Sequence, residues 1–406
     1  MPLPRADDIA AGGAATSARP LVELGWVLAG LRRPGERAAV EAAREQAAGL
    51  LRRLLPGFDW RLPVVTVEEL PTEGCVDPVL FLDRADTERE ARGWDFALLV
   101  TGADLKGYFR GFALAAPSRA LSAAVLSTAR LAPESETGDE ASRQILANRV
   151  RALALHMLGH LNEMPHSDVQ HSFMHDLEGP AELDGMNGFE DEELLRLAAT
   201  LEAVADVRLE EAGHRPRSRT AFYLRAALLN GRGLLDAVRR VRPWLLPLRL
   251  GGLTTAAMSA LLVLLMTAEA WELGVGQPTA SLLLVTLLAL AFATASVLRR
   301  QRLILAHRRR GLTEQRVVSN VATVLIVAVG MATACALLFA TALLLGFLLF
   351  DAALIERWTD SGVGPLPARA RIAALASALA ITIGALGASL EARTYLRHVT
   401  RVDEET

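Results

Sequence analysis

His156-Met157-Leu158-Gly159-His160-Leu161-Asn162-Glu163-Met164-Pro165-His166 decides how the first half of this chain is read. His156 and His160 stand four residues apart, so on a helix both imidazoles lie on one face. Asn162 reads as a helix stop, because Asn tolerates the left-handed conformation at a C-terminus. Pro165 disfavours any continuation of the helix. The chain can then turn and bring His166 back as a third ligand. Three neutral imidazoles suit zinc and leave a fourth position for water. The plainer alternative is three surface or core histidines that hold no metal.

The surrounding sequence reads as mixed α/β. Residues 36–55 form an amphipathic helix, with Val40, Ala43, Ala47, Leu51 and Leu54 at three- and four-residue steps. Residues 62–67, 79–82, 96–100, 112–115 and 121–126 read as short strands. An acidic loop over residues 134–140 precedes a helix over 141–161, which carries the histidines. After an acidic, Gly-bearing stretch, one helix runs to about Glu211. A second, over about 220–241, places Arg225, Arg232, Arg239 and Arg240 beside Leu228, Leu229, Leu234 and Leu235. That pattern fits a helix lying on an anionic surface, or a plain amphipathic connector.

The spacing of His156, His160 and His166 is similar to that of the metzincin zinc peptidases, H-E-x-x-H-x-x-G-x-x-H, and the surroundings most resemble the archaemetzincin branch. The resemblance runs through Leu99-Val100-Thr101-Gly102-Ala103-Asp104-Leu105, then Phe112-Ala113-Leu114-Ala115, then Ala124-Val125-Leu126-Ser127-Thr128-Ala129-Arg130-Leu131. It covers roughly residues 20–200. It implies one zinc per chain on the three histidines, and a Met-turn at Met174 forming the floor under the metal.

The departures from that pattern bear on activity. Met157 stands where the motif glutamate would polarise the zinc-bound water, and a thioether cannot take up a proton at neutral pH. General base catalysis is typically worth about 10²–10⁴-fold. Glu163 replaces the motif glycine, which disfavours a left-handed turn there, a role Asn162 could take. The resemblance implies cysteines for a second, structural zinc, yet Ser167 and Ser172 occupy two of those places, and no cysteine lies between Cys75 and Cys335. A substitute base remains open: Glu163 could approach from the helix end, and Asp168, His171, His175 and Asp176 lie near in sequence.

Beyond residue 250 the composition changes. Four runs, residues 251–268, 273–298, 317–350 and 372–390, carry no charge, and a helix of roughly 20 apolar residues crosses a bilayer. No amphipathic helix is read between them. The third run would be on the order of 50 Å as one helix, so it must tilt, protrude or break near Gly330 or Gly346. Between the second and third runs stand Arg299, Arg300, Arg302, Arg308, Arg309, Arg310 and Arg316 against Glu314 alone. Basic loops stay in the cytoplasm, which places both termini there and Trp244 and Trp271 near opposite interfaces. Uncharged spans disfavour a transporter or pump. Ala380, Gly384 and Ala388 form a small-residue stripe, for packing within the bundle or self-association.

The whole composition agrees with a split molecule. Among 406 residues 51% are hydrophobic and 22% charged, with a mean hydropathy of +0.27. A net charge of −3 argues against nucleic acid as a partner. The expected organisation is therefore a disordered N-terminus (1–20), an α/β (α+β) metzincin-like cytoplasmic domain (21–213) and an amphipathic connector (214–250). An all-α region of four transmembrane helices follows (251–392; about 251–270, 276–298, 318–350 and 372–390), then a cytoplasmic tail (393–406). The function expected is that of a degenerate, inner-membrane-anchored metallopeptidase, a binding or regulatory module with a peptide or protein ligand in its zinc cleft. The alternatives are an active zinc peptidase using an unorthodox base, and a functional membrane bundle with the soluble domain as its regulator.

Overall fold

Alternation along β1 (Leu21–Ala29) sends Val22, Leu24, Trp26 and Leu28 into one apolar core and Val27 and Ala29 into another. A strand buried on both faces belongs inside a largely parallel sheet. The computed structural model describes residues 19–33, 35–72, 74–108, 111–132, 140–211, 242–304, 314–359, 363–387, 397–398, 401–403 and 405–406. In it β1 pairs in parallel with β2 (Asp59–Arg61), β3 (Val64–Val67) and β5 (Phe96–Thr101). Next to β5 lies β8 (Ala123–Ser127), also parallel, and beyond it β7 (Ala115–Ser118) runs antiparallel as the last strand of the path. Two short strands, β4 (Cys75–Val76) and β6 (Asp104–Leu105), pair separately.

Helices close both faces of this sheet. On one side α1 (Glu36–Leu54) and α3 (Glu140–Leu161) pack together over Trp26, Leu98 and Leu126. On the other side α2 (Pro78–Arg92) covers Val27, Leu99 and Val125 with Phe81, Leu82 and Ala85. Residues 79–82 are thus helical rather than a strand. Asp77 explains the difference: its carboxylate accepts the Val79 N–H at 2.9 Å as an N-cap, and Pro78 occupies the first helical position. The short apolar run that reads as a strand is the buried stripe of a helix. Residues 112–115 likewise do not form a strand as a unit, since β7 begins at Ala115. Pro117 sits within β7, where a missing N–H is tolerated on an edge strand. A further helix, α4 (Asp191–Glu211), follows. The N-terminal residues 1–18, most of the acidic loop and the connector over 212–241 lie outside the described residues.

The regular elements described beyond residue 242 are all helices. Three helices are long and apolar enough to cross a membrane, and a bent pair could make a fourth span. These three are α7 (Thr279–Arg300), α8 (Glu314–Leu349) and α10 (Pro365–Gly387). Along α7 the side chains of Leu283, Leu284, Leu287, Leu288 and Phe292 are exposed, a surface suited to lipid. The first expected span is instead α5 (Gly251–Leu265) followed by α6 (Ala268–Gly276), bent by 87°. Trp271 fixes the bend from inside. It is fully buried against Phe350 and Trp358, and its indole N–H donates to the Leu265 carbonyl at 2.9 Å. It therefore serves a helix end freed by the bend rather than a lipid interface.

The long run is one unbroken helix. Gly330 and Gly346 leave α8 intact, and a Cβ at Gly330 would meet Leu246 at 2.6 Å, so that glycine admits a neighbour rather than a kink. A short helix, α9 (Ala352–Thr359), then intervenes before α10. Arg369 and Arg371 lie in the first turns of α10, and their charge is used on helix ends. Arg369 donates to the carbonyls of Gly346 and Phe350 at 3.0 and 2.8 Å, and Arg371 to Val275 at 2.8 Å. The small-residue stripe of α10 packs inside the bundle. A Cβ at Gly384 would lie 2.9 Å from both the Ala257 Cβ and the Leu253 carbonyl of α5, while Ala388 lies outside the described residues. Gly384→Leu should therefore separate α10 from α5 and lower the melting temperature of the full chain in detergent, an overpacking cost of about 1–3 kcal/mol. Leu386→Ile, at an exposed position, should leave it nearly unchanged in the same scan.

Candidate metal centre

The C-terminal end of α3 is buried over its last residues, and this buries two of the three histidines with it. His156 is fully buried and His160 nearly so, while His166 is half-buried on the returning chain. The turn that returns it is a Schellman motif. The Glu163 N–H donates to the His160 carbonyl at 3.1 Å and the Met164 N–H to the Gly159 carbonyl at 3.1 Å. Its left-handed residue is Glu163, with φ of 63°, and not Asn162. Asn162 caps instead by donating from its side chain to the Leu158 carbonyl at 2.8 Å. The position that resembles the motif glycine thus keeps a glycine's conformation with a glutamate in it.

The three rings converge. His160 Nε2 lies 3.0 Å from His156 Nε2 and 3.1 Å from His166 Nε2. Ligands about 2.0–2.1 Å from a tetrahedral zinc stand about 3.3 Å apart, so the spacing fits one ion. His156 also has its tautomer fixed. Its Nδ1 lies 2.5 Å from the Phe173 carbonyl, which can only accept, so Nδ1 carries the proton and the Nε2 lone pair faces its neighbours. His166 Nδ1 lies 3.8 Å from Asp176. Chiefly through burial, the imidazole of His156 is pushed down to about 4 and that of His160 to about 2. Both are neutral at physiological pH, as ligands must be. The donor set thus fits zinc.

Met174 is fully buried in the core of the same domain. A Cβ at Gly159 would meet its sulfur at 2.2 Å, so the methionine lies against the helix backbone immediately before His160. Met157 is fully buried within the main core of the domain. Glu163 turns outward: its Oε1 accepts from Arg119 Nη1 at 3.2 Å, and the side chain is 74% exposed. Of the other charged neighbours, His171 contacts Glu190 at 2.9 Å, and His175 Nδ1 donates to the Ser167 carbonyl at 3.3 Å. Ser172 donates to Glu193, and its oxygen accepts the Met174 N–H at 2.9 Å, so hydrogen bonds tie together the segment where the resemblance implied a second zinc. Phe173 and Arg119 are site residues that sequence reasoning missed. Phe173 acts through its backbone, and Arg119 arrives from the β7–β8 turn, 44 positions away.

The chain is similar to solved structures of zinc peptidases. Archaemetzincin from Methanopyrus kandleri is 21% identical, with a TM-score of 0.35, over 45% of this chain and 97% of that one. A zinc-dependent peptidase from Methanocorpusculum labreanum is 20% identical, with a TM-score of 0.33, over 43% and 99%. Archaemetzincin from Archaeoglobus fulgidus, complexed with malonate, is 18% identical, with a TM-score of 0.32, over 43% and 99%. No family model matches the chain, and no curated protein matches it.

Two outcomes follow from this geometry. Glu163→Gly should relieve the left-handed strain and stabilise the full chain by up to about 1 kcal/mol, less whatever the exposed pair with Arg119 contributes. Glu163→Ala keeps the strain and should not stabilise, which thermal unfolding of both variants would show. The second outcome concerns pH. Because the folded-state values of His156 and His160 lie below the ordinary 6.5, the unfolded chain binds more protons in acid. The metal-free protein should hold its stability above about pH 6.5 and lose it progressively toward pH 4. His160→Gln should flatten part of that slope in melting scans between pH 7.5 and 4.5.

Proposed function

We propose that this chain is a membrane-anchored zinc-binding protein with a metzincin-like domain, a degenerate peptidase that serves as a binding or regulatory module for a peptide or protein ligand. The convergence of His156, His160 and His166 on one point carries the reading. These residues would hold the metal, with His156 oriented by the Phe173 carbonyl and Met174 packed below. Bound there, zinc supplies a Lewis acid and a coordinated water of lowered pKa. The proton of such a water needs an acceptor, and α3 offers the thioether of Met157 at the position that resembles the motif glutamate. Glu163 is engaged by Arg119 and largely in solvent, which supports the degenerate reading over an active peptidase with a substitute base. Arg369 and Arg371 serve helix ends, which supports an anchor rather than a conducting bundle.

The orientation proposed is cytoplasmic for both the metal domain and the tail, at the inner membrane. The tail contacts the metal domain through Asp403 and Arg119, and Arg401 donates to the Arg302 carbonyl at 3.2 Å beside the arginine-rich loop. These contacts support a placement of domain, tail and basic loop on one side, with an even number of crossings. The bent α5–α6 pair then counts as the fourth span. The α10 stripe is filled by α5 of the same chain, which supports packing within the bundle over self-association.

The full chain in detergent should carry about one zinc, measured by elemental analysis, and His160→Ala should abolish stoichiometric binding. Wild type that carries no metal, and whose melting temperature added zinc leaves unmoved, would overturn the metal assignment. Catalysis is tested separately with a mixed peptide library. Wild type should show no zinc-dependent cleavage above His156→Ala, and Met157→Glu should give weak cleavage that requires zinc. Robust cleavage by wild type that Glu163→Gln eliminates would establish the active peptidase instead.

A further inference from the structure

The outer edge of β7 is filled by the chain's own tail. Thr406 donates its N–H to the Ala115 carbonyl at 3.1 Å, and its carbonyl accepts the N–H groups of Leu114 and Ala115 at 2.5 and 3.2 Å. One step along, the Asp403 N–H donates to the Pro117 carbonyl at 3.0 Å. Thr406 bonds to Ala115 and Asp403 to Pro117, so the tail lies antiparallel along β7, with a three-residue step on the tail against two on the strand and thus as irregular edge pairing. Pro117 has no N–H to offer, and beyond it the edge ends in Arg119. The backbone N–H of Arg119 reaches Asp403 Oδ2 at 2.6 Å, and its guanidinium reaches Asp403 Oδ1 at 3.2 Å.

Side chains fix the register of this added strand. Glu405 is buried, and its Oε1 accepts the Tyr108 N–H at 2.7 Å and lies 2.7 Å from His398 Nε2. The Tyr108 ring packs on His398 with centroids 4.3 Å apart, and its hydroxyl donates to Asp77 at 2.7 Å. Arg397 and Arg401 both pair with Asp83 of α2. Acidic side chains at 403 and 405 thus meet separate partners, Arg119 for Asp403 and Tyr108 with His398 for Glu405. Arg119 is shared: one nitrogen holds Asp403 and the other holds Glu163 at the metal rim.

We propose that the β7 edge is a docking surface for one extended acidic strand, and that residues 401–406 of this chain are its resident, displaceable occupant, which through Arg119 also fixes Glu163 beside the metal site. The occupant recognised has a carboxylate for Arg119, a second carboxylate two residues later for the Tyr108 N–H, and a backbone that bonds to Ala115 and Pro117, while His398 travels with the tail itself. The inference stands on these contacts and is independent of whether zinc binds. Occupied, the surface ties the end of the membrane bundle to the metal domain. Vacated, it offers the same edge to an extended segment of another chain.

Hydrogen exchange read by mass spectrometry on the full chain in detergent tests this. In wild type the amides of Leu114 and Ala115 should be protected. In a chain ending at residue 396, and separately in full-length Asp403→Arg, they should exchange at least 10-fold faster. A synthetic peptide of residues 397–406 added to the shortened chain should restore protection, and the same peptide with Asp403→Arg should need at least 10-fold more. Unchanged exchange in the full-length Asp403→Arg variant would overturn the proposal even if the shortened chain fails to fold. Equal rescue by both peptides would overturn the role of Arg119. Displacement of the tail by an unrelated acidic strand would extend the surface to partners in trans.

Discussion

The sulfur of Met174 pressed against the backbone of Gly159 is the contact on which the metal centre depends. A helix can present histidines four residues apart anywhere on its surface, but only a buried helix end keeps both rings dry and fixed. Here the loop after His166 folds under α3, and the absence of a side chain at Gly159 is what lets it come close. The same loop delivers the Phe173 carbonyl to His156 and the hydroxyl of Ser172 to the backbone of Met174. The placement of His156 and its ring tautomer thus follow from one close approach.

Much of this was legible before any coordinates. The triad spacing, the helix over residues 36–55, the strand over 96–100 and the helix carrying the histidines rest on local periodicity, and local periodicity survives folding well. What failed did so where two local signals compete. Residues 79–82 are apolar enough for a strand, but the cap from Asp77 and Pro78 outweighs four residues of pattern. Asn162 is the better left-handed residue by intrinsic preference, yet the Schellman geometry falls one residue later, on Glu163. Trp271 was read from composition as an interfacial indole, although its role is set by a bend that no sequence period announces. Arg119 and the tail were illegible in principle, because their positions follow from which strand is left at the sheet's edge.

The apolar helical half shows a similar economy with charge. Arginines that would be costly in lipid stand at helix ends, where carbonyls lacking intrahelical partners receive them, and the bundle interior is left to small residues and aromatic rings. Among the described residues, the chain's last residues join the two halves through ion pairs and backbone hydrogen bonds. Such a junction, held by ion pairs and a few backbone hydrogen bonds, is the kind of contact that salt and competing strands can weaken.

Pro117 takes on a different meaning when synthesis is considered. Asp403, which covers this edge, lies 284 positions after Arg119. At about 5–20 residues per second the ribosome needs roughly 15–60 s to make that stretch, while the membrane helices emerge in between. During that interval the sheet of a nascent chain would expose an open edge to its neighbours on the same polysome. A proline in the outermost strand removes a donor from the template and blunts edge-to-edge growth. Asp403 then pairs with Arg119 at the end of this edge when the tail finally arrives. The residue that limits how the tail can pair is thus also a safeguard against aggregation while the tail does not yet exist.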